Sequence, residues 1–476
     1  EIANVCGMEG VRYMHEAGDD LPMRQLIDIP SCVPAVPGLE NAGAEFFAGQ
    51  IEELSSMDRV IGLAEVMDFL AVIHGEDRMM DIIDVMDKKG LYLQGHAPSV
   101  SGRMLSAYLC GGPNTCHESR ERYEALEKLR SGMFVDARES SITKNVEEIW
   151  EGVKGVRFFD HFCLCTDDRE ADDILHVGHM NDVVRTAIRS GMDPVTAIKS
   201  ATFNTAREIH IENLGAIAPG YVADMLIVSD LRELKPDYVF FGGKLVAEMG
   251  QMSVPIEDRE YPLEKVNTMY VRELTEEDFR IKAPVENGTV TVNVMEYPDI
   301  HLSSTELTTA QLPVKDGYVC LEGEDLKFVA VVNRHKGHDT IGLGIVKGFG
   351  TTCGALASTV SHDSHNLTVV YDSAANALAA AKALIQCGGG MSAVKDGRLL
   401  HVLELPLAGL ISLKDAAELA KDSQAMKEAN RELGLTGLEN PLLRIVTLAL
   451  PVIPKVKMSD LGMVDVLKKE LIPLFA

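Results

Sequence analysis

The chain has 476 residues, 46% of them hydrophobic and 25% charged, enough to bury large cores in two or more domains and to exclude disorder over most of its length. Acidic residues number 72 against 45 basic ones, a net charge of -27, which argues against a phosphate-tracking nucleic-acid surface or an anionic-membrane surface. Nine cysteines without a CxxC pair, no apolar run of membrane-spanning length and no signal-peptide pattern at the start give a cytoplasmic expectation.

The first residue, Glu1, is not an initiator methionine, and Ala3 to Glu16 reads as a helix, so upstream residues are expected to be missing. Up to about residue 215 short apolar runs alternate with helix-period segments, the pattern of βα units around a parallel sheet. The predicted strands are Gln25 to Val33, Val60 to Met67, Leu91 to His96, Met133 to Ala137 and Arg157 to Cys165. Helices are predicted at Ser101 to Leu109, Arg122 to Arg130 and Met180 to Ser190, each followed closely by Gly. Another opens at Asp193-Pro194.

From Leu214 the texture becomes that of a small β module, with a hairpin turning at Gly242-Gly243. The expected divisions are 1–213 for an α/β barrel, 214–250 for the β module, 251–280 for a linker and 281–476 for an α+β domain. That last region carries strands such as Thr289 to Val294, Phe328 to Val332 and Leu367 to Tyr371, and a bend at Gly348 to Gly350. Its helices are Ser373 to Gln386 and Ser412 to Leu433, the latter opened by Ser412 and Asp415 as a capping-box-like start.

Four polar groups stand at the C-terminal ends of apolar runs: Glu65, His96, His117 and Asp167. In a βα barrel those ends share one face, so the four could surround a divalent metal pair. Each alone has a bland reading as a rim charge or hydrogen-bonded histidine; Glu65 among apolar neighbours would be costly without a partner. Asp167 and Asp168 read either as a cap for the following helix or as one metal ligand and one substrate contact, since neighbours on a strand point apart. Arg138 and Glu139 end another run and are either a surface ion pair or donors and acceptor for a planar heterocycle. A second cluster, His362, Asp363 and His365 in SHDSHN, is either a metal site made by a turn or a polar hydrogen-bonded loop. His335, His338 and Asp339 read as a hairpin turn, and Gly388 to Gly390 as a helix terminator.

With SCVPAVPG, GLAEVMDF, GHAPSVSG, CHES, CTDDR, LGAIAPGYVADMLIVSD, STVSHDSHN, LPLAGLIS and LPVIPKVKMSDLG in view, the sequence resembles the bacterial adenine deaminases of the amidohydrolase superfamily. The resemblance implies a metal-dependent (β/α)8 barrel, a small β module and a C-terminal α+β domain. It makes Glu65 a bridging carboxylate, with His96, His117 and Asp167 as further ligands. Manganese or iron is the implied metal, zinc the lesser alternative. The implied reaction converts adenine to hypoxanthine and ammonia, with Asp167 as general base and acid and Glu118 steadying His117. Asp168, Arg138 and Glu139 become the substrate contacts. The HxH pair of the family's first strand has no counterpart here, so the barrel is expected to lack its first two strands, and Ser140 replaces a usual Gly. The expected partners are a small purine base and further copies of the chain, with no nucleic acid and no membrane. The rival readings are a cyclic-amide hydrolase, which commonly uses a carboxylated lysine where Glu65 stands, and a catalytically inactive fragment or binding module.

Overall fold

A computed structural model describes residues 1–257, 267–323 and 325–476. The chain forms two compact units: one comprises Val11–Cys32 and Phe46–Glu260, the other Glu1–Gly10, Val33–Glu45 and Tyr261–Ala476. The division therefore falls inside the expected linker 251–280, but two N-terminal stretches expected in the barrel belong to the second unit. The first predicted helix runs Ile2–Ala17 and is broken at Gly7, whose φ of 62° leaves the helical region.

In the first unit six parallel strands form two three-stranded sheets, in the orders β1-β2-β3 and β4-β5-β6. They are β1 (Ile27–Pro30), β2 (Val60–Val66), β3 (Tyr92–Gly95), β4 (Thr115–Cys116), β5 (Phe134–Arg138) and β6 (Phe162–Cys165). The predicted strands survive with trimmed ends. Residues 157–161, predicted as strand, lie outside β6, and the two-residue β4 was too short to show in the apolar pattern. Alternation sorts the faces. Val135 and Ala137 of β5 pack with Ile149, Trp150, Val153 and Val183 of the covering helices, while Asp136 and Arg138 take the opposite face. Each such buried aliphatic stabilises the layer by about 1.5–3 kcal/mol. The N–H of Gly95 donates to Thr115 Oγ1 at 2.9 Å, linking the two sheets where they carry no ladder.

The same unit holds an antiparallel sheet of Met225–Val228, Pro236–Phe241, Lys244–Glu248 and Gln251–Met252. Gly242 and Gly243 make its hairpin turn with φ of 55° and 79°, a left-handed pair that only glycine adopts readily. The predicted linker 251–280 needs correction at both ends. Gln251–Met252 is the module's last strand, and Glu276–Phe279 is a 3-10 turn whose Phe279 is buried in the second unit's core. Its part at 258–266 lies outside the described residues.

The second unit is built on a nine-stranded mixed sheet that includes the predicted strands at Thr289 to Val294, Phe328 to Val332 and Leu367 to Tyr371. Gly288–Glu296 pairs antiparallel with Glu306–Lys315 and parallel with Ile341–Lys347; the sheet then continues antiparallel to Arg398–Glu404. Leu326–Val332 and Ile341–Lys347 form a hairpin pair, so His335, His338 and Asp339 do lie in its connection. Ser373 caps Ala374–Cys387 by accepting from the N–H of Asn376, and Gly388 ends it at φ 88°. The last long helix is Ala416–Glu432. Asp415, not Ser412, caps it, because Asp415 accepts from the N–H of Glu418 while Ser412 Oγ accepts from Lys414.

Candidate metal centre and active site

The polar groups singled out from the sequence sit where β2 to β6 end. His96 follows β3 directly, His117 follows β4, Arg138 is the last residue of β5, and Asp167 stands two residues beyond β6. Glu65 reaches the same place by an irregularity. Gly62 and Leu63 pair with Tyr92 and Leu93, but Val66 pairs with Gly95, so β2 carries one residue more than β3 there. A regular strand would put Glu65 on the face of Leu63; the bulge re-aims it, a device common beside active sites. The backbone group this frees is satisfied, since the N–H of Glu65 donates to Gln94 Oε1 at 3.2 Å. Ser31 Oγ donates to the Glu65 carbonyl at 2.7 Å.

Glu65 Oε2 lies 3.3 Å from His96 Nδ1, and Glu65 Oε1 lies 3.3 Å from His117 Nε2. One donor atom from each of the three falls within 4.8 Å of the others. His96 Nδ1 is buried without a hydrogen-bond partner. Two imidazole nitrogens and a carboxylate, one of the nitrogens orphaned, suit a divalent cation of the first transition row. Burial acts to raise the Glu65 carboxyl, yet His117 and His96 beside it hold it well below the usual range. Burial likewise acts against charge on His117, but Glu65, Glu118 and Asp167 outweigh it and push that imidazole up to about 10.

The fourth predicted ligand is placed differently. Asp167 is not among the three converging donors; its Oδ2 accepts from Arg138 Nη1 at 2.5 Å. The same Nη1 lies 2.5 Å from Glu118 Oε1, which in turn is 3.6 Å from His117 Nε2. Glu118 is buried, but Arg138, His96 and His117 bring its carboxyl down to about 2. Arg138 thus spends itself on two carboxylates, where a substrate contact was expected. Glu139 is turned away as well: its Oε1 accepts from the N–H of Val146 at 3.3 Å, at the start of helix Val146–Val153. Ser140 closes the intervening turn, its Oγ accepting from Ile142 and Thr143. Asp168 is exposed, and its carbonyl accepts from the N–H of Ser141.

Two supports escaped the sequence reading. Lys128, fully buried, donates to the Ala97 carbonyl at 2.6 Å, to Ser119 Oγ at 3.2 Å and to Glu124 at 2.6 Å. It ties together the loops carrying His96 and His117. Below the cage, Asp136, Cys163 and Glu208 form a second buried group, with Tyr92 OH donating to Glu208 Oε1 at 2.8 Å. Burial raises the pKa values of Asp136, Cys163 and Glu208. The period-two step from Arg138 to Asp136 and from Cys165 to Cys163 was the available signal.

In the second unit the SHDSHN stretch forms a turn that brings His362 and His365 together, ring centroids 5.6 Å apart. Their common partner is Glu1, which pairs with His362 Nδ1 at 2.8 Å and with His365 Nε2. Asp363 lies 3.5 Å from His362 and outside the converging set. The N–H of Ser361 donates to His365 Nδ1 at 3.2 Å, so that ring carries its proton on Nε2, toward Glu1. Ser364 Oγ donates to Glu40 Oε2, and His335 Nε2 meets the Ser364 carbonyl at 2.6 Å.

Residues 1–246 match the profile of the amidohydrolase family, and residues 303–470 match the adenine deaminase C-terminal domain. The chain is 39% identical to adenine deaminase 2 of Carboxydothermus hydrogenoformans over 479 residues, covering 100% of this chain and 82% of that protein. It is 39% identical to adenine deaminase of Moorella thermoacetica, covering 100% of this chain and 80% of that one. A third relative, adenine deaminase of Dehalococcoides mccartyi, is 37% identical, with 99% and 81% covered.

The chain belongs to the adenine deaminase family.

As an adenine deaminase family member it combines an amidohydrolase barrel with the family's own C-terminal domain, as the sequence motifs implied. Amidohydrolases generally use a divalent metal, in keeping with the donor set at Glu65, His96 and His117. No helix among the described residues is long and apolar enough to cross a membrane.

Proposed function

We propose that this protein hydrolyses adenine to hypoxanthine and ammonia at the cage of Glu65, His96 and His117. The observation that carries the reading is the convergence of these donors at barrel strand ends, in a chain that matches adenine deaminases along its length. A divalent cation held there, manganese or iron with zinc as the lesser fit, would bring the pKa of water toward 7.

Around that site each side chain has a separate task. Asp167 accepts the proton that water loses as its oxygen bonds to C6 and delivers it toward the ring or the departing amine, after which the C–N bond breaks and ammonia leaves. Glu118, whose Oε1 lies 3.6 Å from His117 Nε2, supports that imidazole by its charge. Asp168, exposed beside Asp167, is the group we assign to the purine edge. Hydrogen bonds to ring nitrogens and to the amine allow such a site to reject lookalikes strongly. We further propose a cytoplasmic homo-oligomer acting on the free base.

The test is ammonia and hypoxanthine formation from adenine by metal-loaded protein of measured metal content. Asp167→Asn should bind metal and lose turnover. Metal-loaded wild-type protein that leaves adenine unchanged would remove the reading.

A further inference from the structure

Arg138 looks from the sequence like a substrate contact, but its environment assigns it another task. Its Nη1 lies 2.5 Å from Glu118 on one side and 2.5 Å from Asp167 on the other. Its side chain is 6% exposed, against 24% for Asp167. The backbone beneath it is clamped: its N–H donates to Asn145 Oδ1 at 2.8 Å, the N–H of Asn145 returns to the Arg138 carbonyl at 3.0 Å, and Asn145 Nδ2 donates to the Ser119 carbonyl at 2.9 Å. The guanidinium is therefore held on a rigid strand end.

Asp167 is not. It lies past the end of β6 with φ 56°, in the left-handed region that an Asp visits at some cost. Strand alternation no longer fixes where its side chain points. The polar contact that does so is the one to Arg138. Without a cation between them, Glu118 and Asp167 would also be two carboxylates repelling each other beside His117.

We propose that Arg138 is a positioning residue: it holds the Asp167 carboxylate aimed at the reaction site and keeps Glu118 against His117, without itself binding the purine. This rests on the reading of Asp167 as the proton carrier. Arg138 thereby couples β4 and β6 across β5, so the proton carrier and the histidine support move as one body. A lysine keeps the charge, but its shorter, more flexible stem does not fix a donor at the point where Nη1 meets both carboxylates.

The experiment compares wild type, Arg138→Lys and Arg138→Ala for kcat, KM and metal content, with and without added guanidinium. We expect kcat to fall by about 100-fold in Arg138→Lys, the scale of a misplaced catalytic group, with KM and metal content unchanged. We expect guanidinium to restore part of the Arg138→Ala rate, and Arg138→Lys to add nothing to Asp167→Asn. A raised KM at unchanged kcat would make Arg138 a substrate contact and overturn the inference. Wild-type kcat in Arg138→Lys would overturn it too. If Arg138→Ala does not fold, Arg138→Lys alone decides. Wild-type protein inactive on adenine would fell the functional reading instead, a result distinct from either of these.

Discussion

The backbone N–H of Glu65 is held by the side chain of Gln94, 3.2 Å away on the neighbouring strand. The bulge that turns Glu65 toward His96 and His117 frees this N–H from the ladder, and Gln94 supplies the acceptor the ladder no longer provides. Gln94→Leu should leave the group unsatisfied, at a cost of about 1–3 kcal/mol. It should also loosen the aim of Glu65, lowering divalent-metal affinity by about 10–100-fold, the range seen for groups that orient ligands. Metal titration of the purified variant checks this; wild-type affinity would detach Gln94 from the cage.

Lys128 should matter for stability out of proportion to its distance from any substrate. Lys128→Met removes the cation from Glu124 and the donor from the Ala97 carbonyl and Ser119. Breaking a buried pair by removing one partner costs about 3–5 kcal/mol. Urea denaturation measures the loss, and a midpoint equal to wild type would contradict the clamp.

Gly95 is packed against the next strand so closely that a Cβ there would overlap the Thr115 carbonyl oxygen, which is backbone and cannot swing aside. Gly95→Ala should therefore cost about 1–3 kcal/mol and, because His96 is the next residue, reduce metal occupancy as well. A thermal scan with metal analysis tests both halves.

Glu40 gives the second unit a pH signature. Burial, aided by Asp363 and Asp460, pushes its carboxyl up to about 8 against bonds from Val36 and Ser364 that pull the other way. The unfolded group titrates near 4.3. Between those values the folded chain holds a proton the unfolded chain has released, so stability falls as pH rises through that window and stays lowered above it. Glu40→Gln should flatten the decline between about pH 5 and 8. Parallel unfolding curves for wild type and variant across that range would refute it.

Much of the cage was legible because it obeys position: a polar residue closing an apolar run ends at the same face of a parallel barrel, whatever its neighbours. Glu65, His96 and His117 were found that way. What could not be read was anything set by register or by distant side chains. The bulge in β2 depends on pairing with β3, and Lys128 sits on a helix where a lysine ordinarily means solvent. Asp167 was grouped with the ligands because it also ends a run, but its contact with Arg138 is a matter of loop conformation. Glu1 was missed beside His362 and His365 because 361 residues separate it from the nearer one. The nine-stranded sheet was under-read since several of its strands, such as Ala355–Ser358, are too short for periodicity to register.

The second unit draws on three separate stretches of sequence, with residues 1–10 and 33–45 threaded in from the barrel half of the chain. Cutting near residue 260 would consequently leave the C-terminal product without residues 1–10 and 33–45, while the N-terminal product would keep all of the first unit. The C-terminal half of this chain is therefore not a self-sufficient cassette.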